Sequence, residues 1–159
     1  MEQIIQQIIN GVSLGSIYAL IALGYTMVYG IINLINFAHG DIYMVGAYVG
    51  YFLTTFMGLG FLPSLIIAML TCSILGVLIE RIAYKPVRSS TRISALITAI
   101  SVSLFLEYTM MYFVGPQTRT FPEVLAGKKF SLLDGKVFLD IKNIYIVLIT
   151  LILMIVLQF

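Results

Sequence analysis

Residues 4–38 read IIQQIINGVSLGSIYALIALGYTMVYGIINLINFA and contain no charged side chain. This run of 35 residues ends where His39 and Asp41 follow, and a second uncharged run extends from Ile42 to Ile79. A helix needs about 20 apolar residues to cross the hydrocarbon core of a bilayer. Each run is therefore long enough for more than one span, or for a span and a broken piece. The polar interruption at 33–41 is where function should be sought.

The composition excludes an ordinary soluble domain. The chain is 60% hydrophobic and 10% charged, with a mean hydropathy of +1.05, whereas soluble domains are about 25% charged. The net charge of +2 is too small to indicate a nucleic-acid partner. Because the extreme N-terminus carries Glu2 and no Lys or Arg, it lacks the positive region of a secretory signal. The first run is thus retained as a span.

The charge pattern predicts an all-α, polytopic transmembrane helical bundle that forms a single transmembrane domain over 1–159. Short polar segments separate about five spans, and a tight turn is expected at Gly58–Pro63. The predicted spans are about 8–29, 41–57, 64–82, 93–114 and 143–159. The segments 80–92 and 116–142 are predicted to be polar loops. Because the chain is still apolar at Phe159, we expect the domain to be incomplete at its C-terminus.

The longer loop carries a hairpin signal. Asp134-Gly135 lies between two strand-like runs, and Asp-Gly favours the two-residue turns that need positive φ. We therefore expect a small extracytoplasmic hairpin at 129–140, with an irregular loop as the alternative.

The segment 33–41 predicts a broken helix. Non-helical backbone is tolerated at membrane depth only where it is buried in protein or lines a cavity. Such breaks expose backbone groups that can hold a charged or zwitterionic substrate, and ionisable groups at that depth are functional candidates. In the alternative interpretation, His39 and Asp41 lie at the membrane surface between two spans. The candidate pathway residues are Asn33, Asn36, His39, Asp41 and, in the fourth span, Glu107.

Two G-x-x-x-G spacings indicate close helix packing. The glycines concerned are Gly11, Gly15, Gly46 and Gly50. In the fourth span, Ser103 and Glu107 share one helical face.

Catalytic and metal sites are not indicated. His39 and Asp41 are two residues apart and do not face each other on a helix, and no nucleophile is near them. One histidine and one cysteine, Cys72, are too few for a metal site. We therefore predict no enzymatic activity and no cofactor. The phosphate-binding motif G-x-x-x-x-G-K-[ST] does not occur, so ATP, if it drives transport, must be bound by another chain.

Three separated blocks carry a resemblance to a known family. They are NGVSLGSIYALIALGYTMVYGII at 10–32, INFAHGD at 35–41 and ERIAYKPVRSS at 80–90. Together they closely resemble the permease subunit of the bacterial high-affinity branched-chain amino acid ABC transporter. Members of that family are longer than this chain, so the resemblance implies an N-terminal fragment or truncated form.

The resemblance implies a component of an ATP-driven importer for leucine, isoleucine and valine, multi-pass in the bacterial cytoplasmic membrane. The implied partners are a second permease subunit, two ATP-binding subunits and an extracytoplasmic substrate-binding protein. Two alternatives remain open. One is a small membrane scaffold or assembly partner without transport activity. The other is a permease of a related importer for urea or short amides.

The sidedness of the loops gives a first testable prediction. The segment 80–92 concentrates Lys and Arg and is predicted to be cytoplasmic, which places 116–142 and the N-terminus outside. The basic residues concerned are Arg81, Lys85, Arg88 and Arg92. Single cysteines at Ser89 and Ser131, in a Cys72→Ser background, should therefore be labelled from opposite sides. Labelling of the cysteine at 89 from outside intact cells would contradict this topology.

Overall fold

The computed structural model describes residues 2–32, 36–122, 129–132 and 137–158. Its elements in chain order are α1 (Glu2–Ile32), α2 (His39–Phe56), α3 (Phe61–Ile79), a π-helix (Glu80–Tyr84), α4 (Lys85–Val87), α5 (Arg92–Val114), β1 (Lys129–Leu132), β2 (Val137–Asp140) and α6 (Ile141–Gln158). Helices thus occupy all five predicted regions, and the predicted all-helical membrane fold is confirmed.

By length and composition, three helical stretches in the described part of the chain could each cross a bilayer: Gln3–Gly30, Phe61–Val87 and Arg92–Val114. A shorter apolar helix covers Ile141–Leu157. Whether α2 and α6 also cross the bilayer stays a prediction. The chain forms two compact units, one of residues 1–26 with 125–159 and one of residues 27–124.

The second unit is organised around the antiparallel pair α2 and α3. Ile42, near the start of α2, accepts a hydrogen bond at its carbonyl from the thiol of Cys72, at 3.4 Å. Further along α2, Gly50 lines a cavity together with Ser64, near the start of α3. Residue numbers therefore rise along α2 as they fall along α3, as in a helical hairpin with a short connection.

A small buried core lies at the beginning of α2. Ala38 is 0% exposed and clusters with Ile79 of α3 and Leu106 of α5. Partly buried apolar side chains pack around the three: Ile42, Leu75, Ala83, Tyr84 and Val102. The core therefore joins α3 and α5 to Ala38, the last residue before α2.

The structure corrects the predicted loop at 80–92. The chain stays helical through Val87, so only residues 88–91 are non-helical. Pro86 supplies a physical reason for the π-helix before it, because proline has no N–H and its ring crowds the carbonyl four residues earlier. Instead, the Lys85 N–H donates to the Glu80 carbonyl, five residues back.

The first unit contains the expected hairpin. Strands β1 and β2 are antiparallel, with Lys129 opposite Asp140 and Leu132 opposite Val137. The predicted Asp134-Gly135 turn lies outside the described residues. In the same unit, an apolar groove of about 370 Å³ lies between the first half of α1 and α6.

A glycine substitution tests the contact between α2 and α3. A Cβ on Gly46 would lie 2.5 Å from the Cys72 Sγ, and moving that sulfur would break its bond to Ile42. Gly46→Ala should therefore lower the free energy of unfolding by about 1–3 kcal/mol, as overpacking does. Thermal unfolding in detergent measures this.

Two variants control that experiment. A Cβ on Gly76 meets nothing within 4 Å, so Gly76→Ala should be neutral or gain about 0.5–1 kcal/mol from helix propensity. Adding Cys72→Ala to Gly46→Ala should recover most of the loss. Equal stability of Gly46→Ala and Gly76→Ala would refute the contact.

Candidate functional site

The helix break is closed locally by Asn36. Its side-chain Oδ1 accepts the Ala38 N–H at 3.1 Å, and its carbonyl accepts the His39 N–H at 3.1 Å. This is the asparagine turn in which a side chain replaces a backbone acceptor two residues away. The N–H groups of Ala38 and His39, at the start of α2, therefore have hydrogen-bond partners inside the protein.

Asn36 is also held from a distance by Tyr84. The Tyr84 hydroxyl donates to the same Oδ1 at 2.5 Å, across 48 positions of sequence. Tyr84 is the last residue of the π-helix, so the irregular turn before Pro86 sets the position of this hydroxyl. π-helical turns within α-helices are frequent at functional sites.

Asp41 lies in the first turn of α2 and is half-buried. Its Oδ2 accepts a hydrogen bond from the Ser103 hydroxyl of α5 at 2.5 Å. A carboxylate in the first helical turn is also favoured by the partial positive charge of the helix N-terminus. Two independent features therefore stabilise a charge that the surrounding apolar helices would otherwise disfavour.

The break lies inside the second unit. Ala38 contacts Ile79, and the helical chain continues eight residues beyond Ile79 to Val87. At about 1.5 Å per residue, that continuation is roughly 12 Å long. The α2 helix therefore begins well short of the end of its neighbour. Whether the break lies at membrane depth or at the membrane surface stays a prediction, because Tyr84, which bonds Asn36, belongs to the basic segment 80–92.

The structure brings together only some of the predicted pathway residues. Asn36, His39 and Asp41 form one short segment, while Asn33 lies outside the described residues. Glu107 is exposed on α5, and within the described residues it forms no hydrogen bond or ion pair. Its pathway role therefore stays a prediction without local support.

Of the four predicted packing glycines, two lie close to a neighbouring side chain and two do not. Gly46 faces Cys72 and Gly50 faces the Phe121 ring, whereas a Cβ on Gly11 or Gly15 would meet nothing within 4 Å.

The four basic residues of the predicted cytoplasmic segment are all exposed, two within the helical continuation, one in the turn and one at the start of α5: Arg81, Lys85, Arg88 and Arg92.

Sequence reasoning missed Tyr84 and the partner of Ser103. Tyr84 lies in a stretch predicted to be a loop, where a tyrosine next to basic residues indicates no particular contact. Ser103 was placed on a face with Glu107, yet its partner is Asp41 from another helix. Neither long-range pair leaves a signal in one sequence.

The fold and this site define a multi-pass helical membrane protein with a polar helix break that is buried at Ala38. Residues 7–159 match the family model of the branched-chain amino acid transport system permease component, and the chain belongs to that family. The chain is 44% identical over 131 residues to the high-affinity branched-chain amino acid transport system permease protein BraD of Pseudomonas aeruginosa. It is 46% identical over 136 residues to the high-affinity branched-chain amino acid transport system permease protein LivH of Escherichia coli.

These matches cover most of this chain but less than half of each relative. The part aligned with BraD is 77% of this chain and 43% of BraD. The part aligned with LivH is 78% of this chain and 43% of LivH. No solved structure matches the chain.

The Asn36–Tyr84 bond gives a prediction for stability. Tyr84→Phe removes one hydroxyl and should cost about 0.5–1.5 kcal/mol, the usual net value of a hydrogen bond. In an Asn36→Ala background the same change should cost less, because the Asn36 acceptor is already gone. Chemical denaturation of the four chains in detergent gives the coupling energy.

Tyr108→Phe is the matched control, since Tyr108 is exposed on α5 and should be silent in both backgrounds. A cost of Tyr84→Phe that persists unchanged in the Asn36→Ala chain would show that the hydroxyl does not act through Asn36.

Proposed function

We propose that this chain is part of the permease of an ATP-driven importer of branched-chain amino acids in the bacterial cytoplasmic membrane. The observation that carries the proposal is the helix break at 36–38, with its asparagine turn and its buried Ala38, followed by the Asp41 carboxylate in the first turn of α2. The relatives support the substrate class, because BraD and LivH are permease proteins of branched-chain amino acid transport systems.

The chemistry of the break suits a zwitterion. The N-terminus of α2 carries about half a positive charge, and Asp41 in its first turn carries a negative charge. Each partly cancels the field of the other, so neither a cation nor an anion is held strongly. A substrate with both charges can pass with its ammonium towards Asp41 and its carboxylate towards the helix end. Weak binding of this kind suits a step that must also release its substrate.

The Ser103 hydroxyl keeps the Asp41 carboxylate in place while the substrate passes. Its hydrogen bond uses one of several acceptor sites on the carboxylate, and the others remain available. Tyr84 does the same for Asn36. Both donors therefore act as positioning residues for the proposed pathway.

ATP is proposed to be bound by other subunits, because the sequence contains no phosphate-binding motif. The proposed assembly comprises a second permease subunit, two ATP-binding subunits and an extracytoplasmic substrate-binding protein. In it, this chain binds and conducts the amino acid and carries out no chemical reaction.

Uptake by a chimera tests the proposal. The part of this chain that aligns with Escherichia coli LivH, 78% of its residues, should replace the matched region of LivH. The chimera is expressed as the sole copy in cells with excess substrate-binding protein. Asp41→Asn, Asn36→Ala and His39→Ala should each reduce leucine uptake per chimera in the membrane. For Asp41 the loss should reach about tenfold, because a charge-assisted hydrogen bond is worth about 1.5–3 kcal/mol.

A serine pair supplies the control. Ser103→Ala should reduce uptake, whereas Ser101→Ala should not, because the Ser101 hydroxyl bonds only the Ile97 carbonyl of its own helix at 2.9 Å. Wild-type uptake by all three segment variants would rule out a pathway at the break. Uptake of urea or acetamide in preference to leucine would reassign the substrate.

A further inference from the structure

A groove of about 530 Å³ lies between α2 and the segment that follows α5. Its lining includes Tyr43, Tyr48 and Tyr51 of α2, and Thr118 and Arg119 of that segment. All of these residues belong to the second unit. Among the described residues, no carboxylate lines the groove. The groove therefore combines aromatic rings and hydrogen-bond donors with a single positive charge.

The end of α5 directs the chain towards this groove. Gly115 has a φ of 88°, which glycine adopts without strain, and its N–H donates to the Met111 carbonyl at 3.0 Å. Beyond the helix, the Nη2 of Arg119 donates back to the Val114 carbonyl at 3.0 Å. Since Val114 is the last residue of α5, the Arg119 guanidinium lies at the end of that helix.

This end of α5 is also the end of a candidate membrane span, because Arg92–Val114 is long and apolar enough to cross a bilayer. Three aromatic side chains on its last turns are exposed: Tyr108, Tyr112 and Phe113. Tyrosine is enriched where a span meets the lipid headgroups. We therefore expect Arg119 at the level of the headgroups.

Arg119 retains donors for an anion. Its guanidinium carbon lies 5.9 Å from the centre of the Tyr51 ring, and a guanidinium has five N–H donors in all. Among the described residues, no carboxylate forms an ion pair with Arg119. The hydroxyls of Tyr43 and Tyr48 also form no hydrogen bond within that part of the chain. Because a guanidinium can bind a phosphate through two parallel bonds, this lining favours a phosphate group.

An apolar pocket of about 440 Å³ between α2 and α3 adjoins the groove and shares three residues with it: Tyr43, Ala47 and Phe121. The Phe121 ring lies 6.3 Å from the Tyr51 ring, between centroids. It also lies 3.8 Å from the position of a Cβ on Gly50, which lines the pocket. The Arg119 guanidinium and the apolar pocket are therefore both neighbours of Tyr51.

The α3 side of this pocket belongs to the candidate span Phe61–Val87. Phe61, Leu65 and Met69 line the pocket and are exposed. Exposed apolar side chains on a span contact the acyl chains of the bilayer. The two adjoining cavities thus place an acyl-chain surface next to a group that can bind phosphate, as the two parts of a phospholipid require.

We propose that the groove and the pocket bind one anionic phospholipid of the bilayer. Arg119 binds the phosphodiester, Tyr43 and Tyr48 supply further donors, and an acyl chain passes the Phe121 ring into the apolar pocket. Phosphatidylglycerol fits this chemistry, because its headgroup keeps a net negative charge. The lipid would join α2 to the segment after α5. The site is separate from the helix break and does not depend on the proposed function.

Native mass spectrometry of the purified chain, titrated with ligand in detergent, measures the Kd. Dioleoylphosphatidylglycerol is compared with dioleoylglycerol, which has the chains without the phosphate, and with glycerophosphoglycerol, which has the headgroup without the chains. The phospholipid should bind about tenfold more tightly than either, because each lacks one of the two contacts. Dioleoylphosphatidylethanolamine should also bind more weakly, since its ammonium meets no carboxylate among the described lining residues.

Variants assign the two parts of the site. Arg119→Gln should raise the Kd for phosphatidylglycerol about tenfold, as loss of a charge-assisted bond does, and leave that for dioleoylglycerol unchanged. Arg88→Gln, at an exposed arginine outside both cavities, is the matched control. Ala47→Phe, at an exposed position that lines both cavities, should weaken both ligands by filling the space. Leu62→Phe, outside both cavities, should not.

Thermal unfolding gives a second readout. Phosphatidylglycerol should raise the unfolding temperature of the unchanged chain, as a ligand of the folded state does. It should raise that of the Arg88→Gln chain equally and that of the Arg119→Gln chain much less.

Several outcomes would overturn the lipid site. Equal binding of dioleoylglycerol and phosphatidylglycerol would reduce it to an apolar groove. Binding of glycerophosphoglycerol as tight as that of the lipid would make it a site for a free phosphodiester. A loss in Arg88→Gln as large as that in Arg119→Gln would show that the lipid responds only to overall charge. Unchanged phosphatidylglycerol binding by Arg119→Gln would also refute the proposal.

Discussion

Backbone groups that are packed among apolar helices have little water to bond, and this constraint applies to residues 36–38, which precede α2. The chain leaves the helical conformation there, so its N–H and carbonyl groups must find partners within the protein. Asn36 supplies an acceptor for the Ala38 N–H on one side and receives the Tyr84 hydroxyl on the other. The complete burial of Ala38 follows from this arrangement, because only a segment with internal partners can be enclosed by apolar helices.

Neighbouring elements are arranged to meet that requirement. Pro86 interrupts the regular ladder of α3 and its continuation, and the resulting π-helix ends on Tyr84. On the other side, α5 contributes Leu106 to the core and Ser103 to the Asp41 carboxylate. The polar break is thus bonded to two helices that come later in the chain.

Much of the fold could be predicted because apolar run length and charge are properties of a single sequence. The helix interruption before His39, the helix ends near Phe56 and Val114, and the paired strands all agree with the structure. The loop expected from Glu80 was wrong because its charged side chains are exposed on a helix that continues to Val87. The pairs Asn36–Tyr84 and Asp41–Ser103 could not be predicted, since contacts across helices depend on their rotation and offset.

Amide hydrogen exchange of the chain in nanodiscs tests the central claim, that the break is enclosed and hydrogen-bonded within the protein. The account predicts that peptides covering 36–42 exchange slowly, close to the rate of α3, while residues 88–91 exchange rapidly. It also predicts that Asn36→Ala raises exchange at 36–42 selectively. Exchange of 36–42 as fast as that of 88–91 in the unchanged chain would contradict it, and would place His39 and Asp41 in a solvated loop at the membrane surface.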